Sequence, residues 1–324
     1  MSHLATVSRA LRHRFGADVR PITLATLNRV DLLPTYLQAG ADVHGSHSLF
    51  YWLRARGRGH VVSRDNAAMG LAWRDDVKQL IAIRPVGPLE AVMRLLDAAA
   101  QSVNDRAGPP LVVRYCSPAV AEHLRDQGWT EMSSPWHADA PADDETHPEV
   151  IVTAPAVEMP GGRKYKPLRE AVFLHAPHCQ YTARPAPLGI GETTLIHAEA
   201  ARADDYDQHE LGFNDAVAAS LASHHHDGLT YHYLTRRDRL AAFAITADIT
   251  GIAHGYYLAA RSEPRLVTYF LWLIYLQQRR AGASALNLGG SEIRSLFEFK
   301  TRTFPDHIQQ RTCLLQSPHA PTDR

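Results

Sequence analysis

Apolar residues recur at helical spacing in two stretches near the start of the chain. In 29–39 these are Leu33, Tyr36 and Leu37, and in 47–56 they are Leu49, Tyr51, Trp52 and Leu53. Strand-like runs then take over. Segments 59–63, 67–73 and 78–84 are separated by the turn residues Arg64-Asp65-Asn66 and Arg74-Asp75-Asp76, which predicts an antiparallel meander. Pro85-Val86-Gly87-Pro88 stops the third strand, and the pattern over 89–104 predicts a long amphipathic helix. A β-branched strand at 111–115 follows, then a helix capped by Ser117-Pro118 and ending at Gly128-Trp129. The acidic, proline-bearing stretch 133–148 marks a domain junction. Beyond it the order repeats: strand 150–153, helix 164–175, strand 179–184, helical segments across 192–223, strands 229–235, 240–249 and 252–260, helix 264–281, strand 284–288, helix 292–300 and strand 308–315. The expected fold class is α/β (α+β), with domains at 1–145 and 146–316 and a frayed tail at 317–324.

Composition narrows the function classes. With 324 residues, 45% of them hydrophobic and 21% charged, the chain can build sizeable cores, which excludes disorder as its general state. Lys plus Arg and Asp plus Glu both count 34, so the net charge of zero excludes a globally basic nucleic-acid coat protein and leaves room for a local patch. Cys116, Cys179 and Cys313 lie far apart, none at zinc-ligand or redox-pair spacing. Their odd number argues against a disulfide framework and points to a reducing cytoplasm. No apolar run reaches the roughly 18 residues of a spanning helix. Arg9, Arg12, Arg14 and Arg20 give the start of the chain the character of a basic arm or amphipathic helix. His224-His225-His226 reads as a solvated loop, because consecutive histidines cannot all face one ion, and no metal is expected.

The repeated order of helix, meander, long helix, strand, helix and strand resembles the GCN5-related N-acetyltransferase (GNAT) fold. That likeness implies two tandem GNAT-like domains, each a mixed, mostly antiparallel splayed sheet flanked by helices. The fold usually grips coenzyme A through an Arg/Gln-x-x-Gly-x-Gly/Ala turn after the fourth strand, whose amides meet the diphosphate at a helix start. Here that turn reads Arg261-Ser262-Glu263-Pro264, without glycine and with a carboxylate that repels phosphate. Arg54-Ala55-Arg56-Gly57-Arg58-Gly59 matches the pattern but closes a helix, so a glycine helix stop is the plainer reading. The coenzyme A site is expected to be absent from both halves.

Two further segments carry candidate chemistry. Arg163, Lys164, Lys166 and Arg169 cluster after Gly161-Gly162 at a helix start, where cations oppose the helix dipole. Either a phosphate-rich partner or a solvated charged face accounts for them. Later, Asn287-Leu288 opens into Gly289-Gly290-Ser291-Glu292 and a helix bearing Leu296, Phe297 and Phe299, which ends at Lys300 before Arg302 and Phe304-Pro305. A glycine pair lets amides approach a ligand and Lys300 could stabilise an oxyanion, but a lysine at a helix C-terminus also simply suits the dipole. Tyr256 and Tyr257 could stack a base or an acceptor ring, or lie in the core.

These segments resemble the tandem-GNAT aminoacyl-tRNA-dependent transferases, namely the Fem peptidyltransferases and the soluble transferase domain of phosphatidylglycerol lysyltransferases. The likeness lies in 42–52 with Arg84-Pro85-Val86-Gly87, in the helix with Gly162-Arg163-Lys164-Tyr165-Lys166 and Arg169, and in the closing run from Leu288 to Phe304-Pro305. It implies transfer of an amino acid from charged tRNA to an acceptor amine of a small peptide or peptidyl-nucleoside, with aminoacyl-tRNA as co-substrate and no separate cofactor. Antibiotic or secondary-metabolite biosynthesis would suit a cytoplasmic chain of this kind. The implied roles are Lys300 and Glu292 in catalysis, Asn287, Gly289, Gly290, Ser291, Tyr256 and Arg302 against the substrate, and Arg163, Lys164, Lys166 and Arg169 against tRNA phosphates. Lys300→Ala is expected to cut turnover with little loss of fold. The alternatives are an acyl-CoA-dependent N-acyltransferase with a divergent phosphate turn and a non-catalytic tandem-GNAT binding module.

Overall fold

A computed structural model describes residues 3–23, 59–74, 78–105, 108–132, 147–185, 228–249, 251–291 and 294–318. The expected helices at 29–39 and 47–56, the segments across 192–223, the triple histidine and Glu292 lie outside these residues. Two compact units emerge. One comprises 1–149, 290–297 and 310–324, the other 150–289 and 298–309. The division interleaves in sequence, whereas the pattern along the chain divided it at a single junction.

The first unit holds the helices α1 (His3–Phe15), α2 (Leu89–Asn104) and α3 (Pro118–Asp126). Its strands are β1 (Asp18–Pro21), β2 (His60–Arg64), β3 (Ala67–Arg74), β4 (Gln79–Val86), β5 (Val112–Cys116) and β6 (Thr130–Glu131). The meander β2-β3-β4 forms where predicted. β1 adds an edge strand the pattern did not announce, its Pro21 tolerated there because an edge needs fewer ladder donors. Helix α2 buries Val92, Leu95, Leu96, Ala99 and Val103, a stripe at helical spacing, in one cluster with Leu71 and Ala82 of the sheet. Ser117 caps α3 by accepting from the Val120 amide at 3.4 Å. Gly87 has φ +130°, and a Cβ there would sit 2.5 Å from the Asn66 carbonyl oxygen, so only glycine lets the strand end fold against the β2–β3 turn.

The second unit holds β7 (Glu149–Val152), whose first residue belongs to the first unit, then α4 (Lys166–His175) and β8 (Cys179–Arg184). It continues with β9 (Leu229–Arg236), β10 (Arg239–Ile249), β11 (Ile252–Ala260), α5 (Leu266–Arg280) and β12 (Ala285–Asn287). Helix α6 (Arg294–Thr303) begins in residues counted with the first unit and ends in the second, and β13 (His307–Gln310) follows it. Last comes β14 (Cys313–Gln316), which returns to the first unit. The single strand expected at 308–315 is therefore two strands in two sheets. The reason is burial: Leu314 and Leu315 are fully buried in the first unit, whereas Ile308 is 58% exposed on an edge strand of the second.

The sheets run β1-β2-β3-β4-β5-β14-β6 and β13-β7-β12-β11-β10-β9-β8. Counted inward from β1 and β8, they share one plan. In each, the fourth and fifth strands pair in parallel, β4 with β5 and β11 with β12. Next to the fifth lies a strand from a remote part of the chain, β14 in one sheet and β7 in the other. The other pairings with defined register are antiparallel, which agrees with the mixed, mostly antiparallel expectation.

Candidate functional site

The second unit's parallel pair is short. β11 and β12 match at Ile252 with Ala285, Ala253 with Leu286 and His254 with Asn287, and there β12 ends. β11 continues to Ala260 along β10, so the two parallel strands part just beyond His254. Immediately past that point β11 bulges: Ile245 faces Tyr257 and Thr246 faces Gly255, leaving Tyr256 as the extra residue. A bulge re-aims side chains, and the Tyr256 ring lies beside His254, with centroids 6.3 Å apart.

On the opposite side of the opening the chain turns at Leu288 and Gly289. The buried Asn287 side chain accepts from the Gly289 amide at 2.8 Å, a local Asx turn, and Gly289 takes φ +69°. The ladder to β7 continues through the turn, with Leu288 N–H donating to the Val150 carbonyl at 2.9 Å and Val150 N–H to the Gly289 carbonyl at 3.2 Å. From α6, Lys300 donates its ammonium to the carbonyls of Leu288 at 2.9 Å and Gly289 at 3.1 Å. Lys300 is only 8% exposed. Its amine ties the end of one helix to the glycine turn, so removing it would leave buried carbonyls without that donor. The expectation that Lys300→Ala spares the fold is corrected on this ground.

The structure thus brings Asn287, Gly289 and Lys300 together at the end of β12, with Tyr256 on the neighbouring strand two residues past the last matched pair, while Glu292 lies outside the described residues. Gly290 and Ser291 belong to the first unit, where Ser291 is buried and forms a backbone bridge with His147. Arg302 is exposed on α6 and pairs with Glu298 at 3.6 Å. In the basic segment, Lys164 and the Tyr165 hydroxyl both donate to Asp306, and those two hydrogen bonds hold its carboxyl below the usual range. Burial, with the Asp306 bond second, pushes the Tyr165 phenol up. Arg169 donates to the carbonyls of Pro160 at 3.0 Å and Gly162 at 2.7 Å. Lys166 lies 3.7 Å from Glu170, which also pairs with Arg265. Arg163 is exposed and makes no ion pair among the described residues.

The approach to α5, where a GNAT fold would hold coenzyme A, does not fit a diphosphate. Arg265 precedes the helix in a left-handed conformation, with φ +62°. The Leu266 amide is already bonded to the Glu263 carbonyl at 3.2 Å, and the Glu263 carboxylate pairs with Arg236. The His175 Nε2–H caps the Pro264 carbonyl at 2.9 Å. In the first unit the equivalent turn is Val86-Gly87-Pro88, where Pro88 has no amide to offer and Gly87 is packed on Asn66 and Ala67.

One buried group went unnoticed in the sequence. His232 on β9 is fully buried, bonded through Nδ1 to the Tyr181 hydroxyl at 2.7 Å and through Nε2 to Thr246 Oγ1 at 2.8 Å. Gln278 of α5 donates to the same Thr246 oxygen at 2.8 Å. A glutamine within the apolar run of α5 and a threonine among the alanines of β10 were the available signals. Burial pushes His232 down to about 3 from 6.5, so it is neutral in the folded chain. The unfolded chain gains a proton below about pH 6.5 that the folded chain refuses, so this contribution is intact above that pH and is lost as pH falls toward 3. Between pH 7 and 5 the loss is about 2 kcal/mol. Urea unfolding of wild type and His232→Gln should show this fall in the wild type alone; parallel pH profiles would refute the assignment.

No known family's profile matches the sequence, and no curated protein matches it. Solved structures do. A conserved protein of unknown function from Bacteroides thetaiotaomicron VPI-5482 superposes with a TM-score of 0.68 at 16% identity, over 93% of this chain and 99% of that one. L-PGS from Bacillus licheniformis gives 0.63 at 13% identity, over 94% of each chain. FemX gives 0.56 at 12% identity, over 92% and 96%. Among the described residues no helix is long and apolar enough to cross a membrane, and no group of three or more His, Cys, Asp or Glu could hold a metal ion. Two sheets of one plan, each with a parallel pair at its fourth and fifth strands, and these superpositions along nearly the whole chain give it the tandem GNAT-like fold shared with L-PGS and FemX.

Proposed function

We propose that this chain is an acyltransferase that moves an amino acid from charged tRNA to the amine of a small peptide or peptidyl-nucleoside. The observation that carries the reading is the contrast within the second unit. The helix start that would hold a coenzyme A diphosphate is filled by Glu263, Pro264 and Arg265, while the β11–β12 pairing ends at His254 and Asn287, with the Tyr256 bulge and the Gly289 turn just beyond it. An acyl donor that needs no diphosphate cradle fits this pattern, and an aminoacyl-tRNA ester is already activated. The resemblance of the motifs to aminoacyl-tRNA-dependent transferases suggests this class of donor, and L-PGS and FemX share the fold.

In this reading the acceptor nitrogen attacks the ester carbonyl carbon. The C–N bond forms, the C–O bond to the terminal ribose of tRNA breaks, and the proton from the amine leaves with the ribose oxygen. Holding both reactants along the parted strands supplies most of the rate, since effective molarities of about 10⁵ M are attainable for well-oriented groups. Lys300 acts as a positioning residue: it fixes the Gly289 turn and sets a positive charge beside the site where the carbonyl oxygen gains negative charge. Arg163, exposed at the start of the basic segment, is the cation best placed to meet tRNA phosphate without first breaking an ion pair among the described residues. A role in the biosynthesis of peptide or nucleoside antibiotics suits such an acceptor.

The test is incubation with total tRNA charged with labelled amino acids and a panel of small peptide acceptors, beside a parallel reaction with acetyl-CoA. A labelled amide product that disappears after ribonuclease treatment is the expected result. Product from acetyl-CoA alone, indifferent to ribonuclease, would replace this reading with a coenzyme A-dependent one. Binding without product in either reaction would point to a binding module.

A further inference from the structure

Cys116 and Cys313 are separated by about 200 residues, and no sequence spacing pairs them. The return of β14 to the first sheet sets them directly opposite each other, in register across the β5–β14 ladder. Residues opposed in an antiparallel pair have Cα atoms about 4.5–5.5 Å apart and side chains on the same face. That separation falls inside the roughly 4.4–6.8 Å span that a disulfide bridges. Both side chains pack on one hydrophobic cluster. The ladder shifts register just beside the pair, at the β5 bulge where Tyr115 has φ +56°, which leaves local room for adjustment.

The two thiols differ in access. Cys116 is fully buried and Cys313 is half-buried. Arg125 on α3 brings Nη2 to 3.8 Å from the Cys313 sulfur and also pairs with Glu131, on the strand next to β14. The guanidinium gives the more accessible sulfur a cationic neighbour, and access makes Cys313 the thiol that meets an incoming disulfide first. The third cysteine, Cys179, lies in the other unit, and burial pushes its thiol up.

We propose that Cys116 and Cys313 form a thiol-oxidation site that closes to a disulfide by exchange with a low-molecular-weight disulfide, fastening β14 to β5. The Cys313 thiolate attacks one sulfur of the small disulfide, forming a mixed disulfide and releasing one small thiolate. Cys116, deprotonated, then attacks the Cys313 sulfur, forming the protein S–S bond and releasing the second. Two protein thiols are oxidised, one small disulfide is reduced to two small thiols, and the two protons from the cysteines end on those thiols.

The experiment treats the full chain with oxidised glutathione, alkylates the remaining thiols and maps peptides by mass. The expected result is a Cys116–Cys313 linked peptide lighter than its two parts by two hydrogen atoms, with Cys179 alkylated. Dithiothreitol should restore all three thiols. The linked chain should melt roughly 5 °C above the reduced one, because the bond closes a long loop of the unfolded chain. Cys313→Ser should abolish both the link and the shift. Cys116→Ala, checked for folding by circular dichroism, should arrest the reaction at a glutathione adduct on Cys313. A wild-type chain in which Cys116 stays open to alkylation on unfolding after the treatment, or in which the Cys313 adduct persists, would overturn the proposal.

Discussion

Replacing Lys300 by alanine is expected to lower aminoacyl transfer by about 10²-fold or more and to destabilise the second unit by about 2–4 kcal/mol. The second effect follows from burial. The amine supplies hydrogen bonds to two carbonyls of the Leu288–Gly289 turn, and an 8% exposed site offers them little water in exchange. The first follows from charge, because in the proposed reaction a cation held at the turn would stabilise the oxyanion. Two further variants separate the causes. Lys300→Met keeps much of the packing without the charge, so its turnover should stay low even where urea unfolding shows most of the stability recovered. Lys300→Arg keeps the charge and should restore part of the turnover at saturating acceptor. Full activity in Lys300→Met would remove the electrostatic role and leave the lysine as a purely structural tie.

The next largest effect concerns the other unit. A chain ending at Gln310 lacks β14, and with it Leu314 and Leu315, both fully buried. Burying two leucines contributes roughly 3–6 kcal/mol. The lost ladder to β5 and β6 adds hydrogen bonds worth about 0.5–1.5 kcal/mol each. Against a typical domain stability of about 5–15 kcal/mol, the first unit should fail to hold its native state. Limited proteolysis should then cleave within residues 59–132, while 228–289 stays protected. A chain ending at Pro318 keeps β14 and the two bonds between Ser317 and Leu111, at 2.9 Å each, and should match wild type. Equal protease resistance in both truncations would show that β14 is dispensable to the sheet.

Much of the fold was legible because its elements announce themselves locally. The strands at 67–73 and 229–235 are bounded by turn residues, the helix at 89–104 carries a continuous apolar stripe, and Ser117-Pro118 is a cap. Those signals depend on residues within a few positions of each other. The candidate site was legible in part. The Gly289 turn and Lys300 were named from their motif, and the structure shows why they belong together: the lysine amine reaches back over the helix to the turn carbonyls. The partners of the basic segment were not legible, since Asp306 lies 142 positions from Lys164 and nothing nearby predicts their pairing. The same holds for His232, whose neutrality follows from three elements closing over it.

What the sequence determined by itself was the kind and order of most of the described elements and the absence of a glycine turn before α5, since periodicity, caps and turn residues act within one or two turns of chain. What only the tertiary structure decided was where the terminal strands went. Residues 308–315 read as one strand, yet the exposed Ile308 and the buried Leu314 and Leu315 belong to different sheets. A strand carries the same local pattern whichever edge it joins. The choice is made by which strand is left to pair with β5 and which core takes up Leu315, and that depends on contacts about 200 residues apart in the chain.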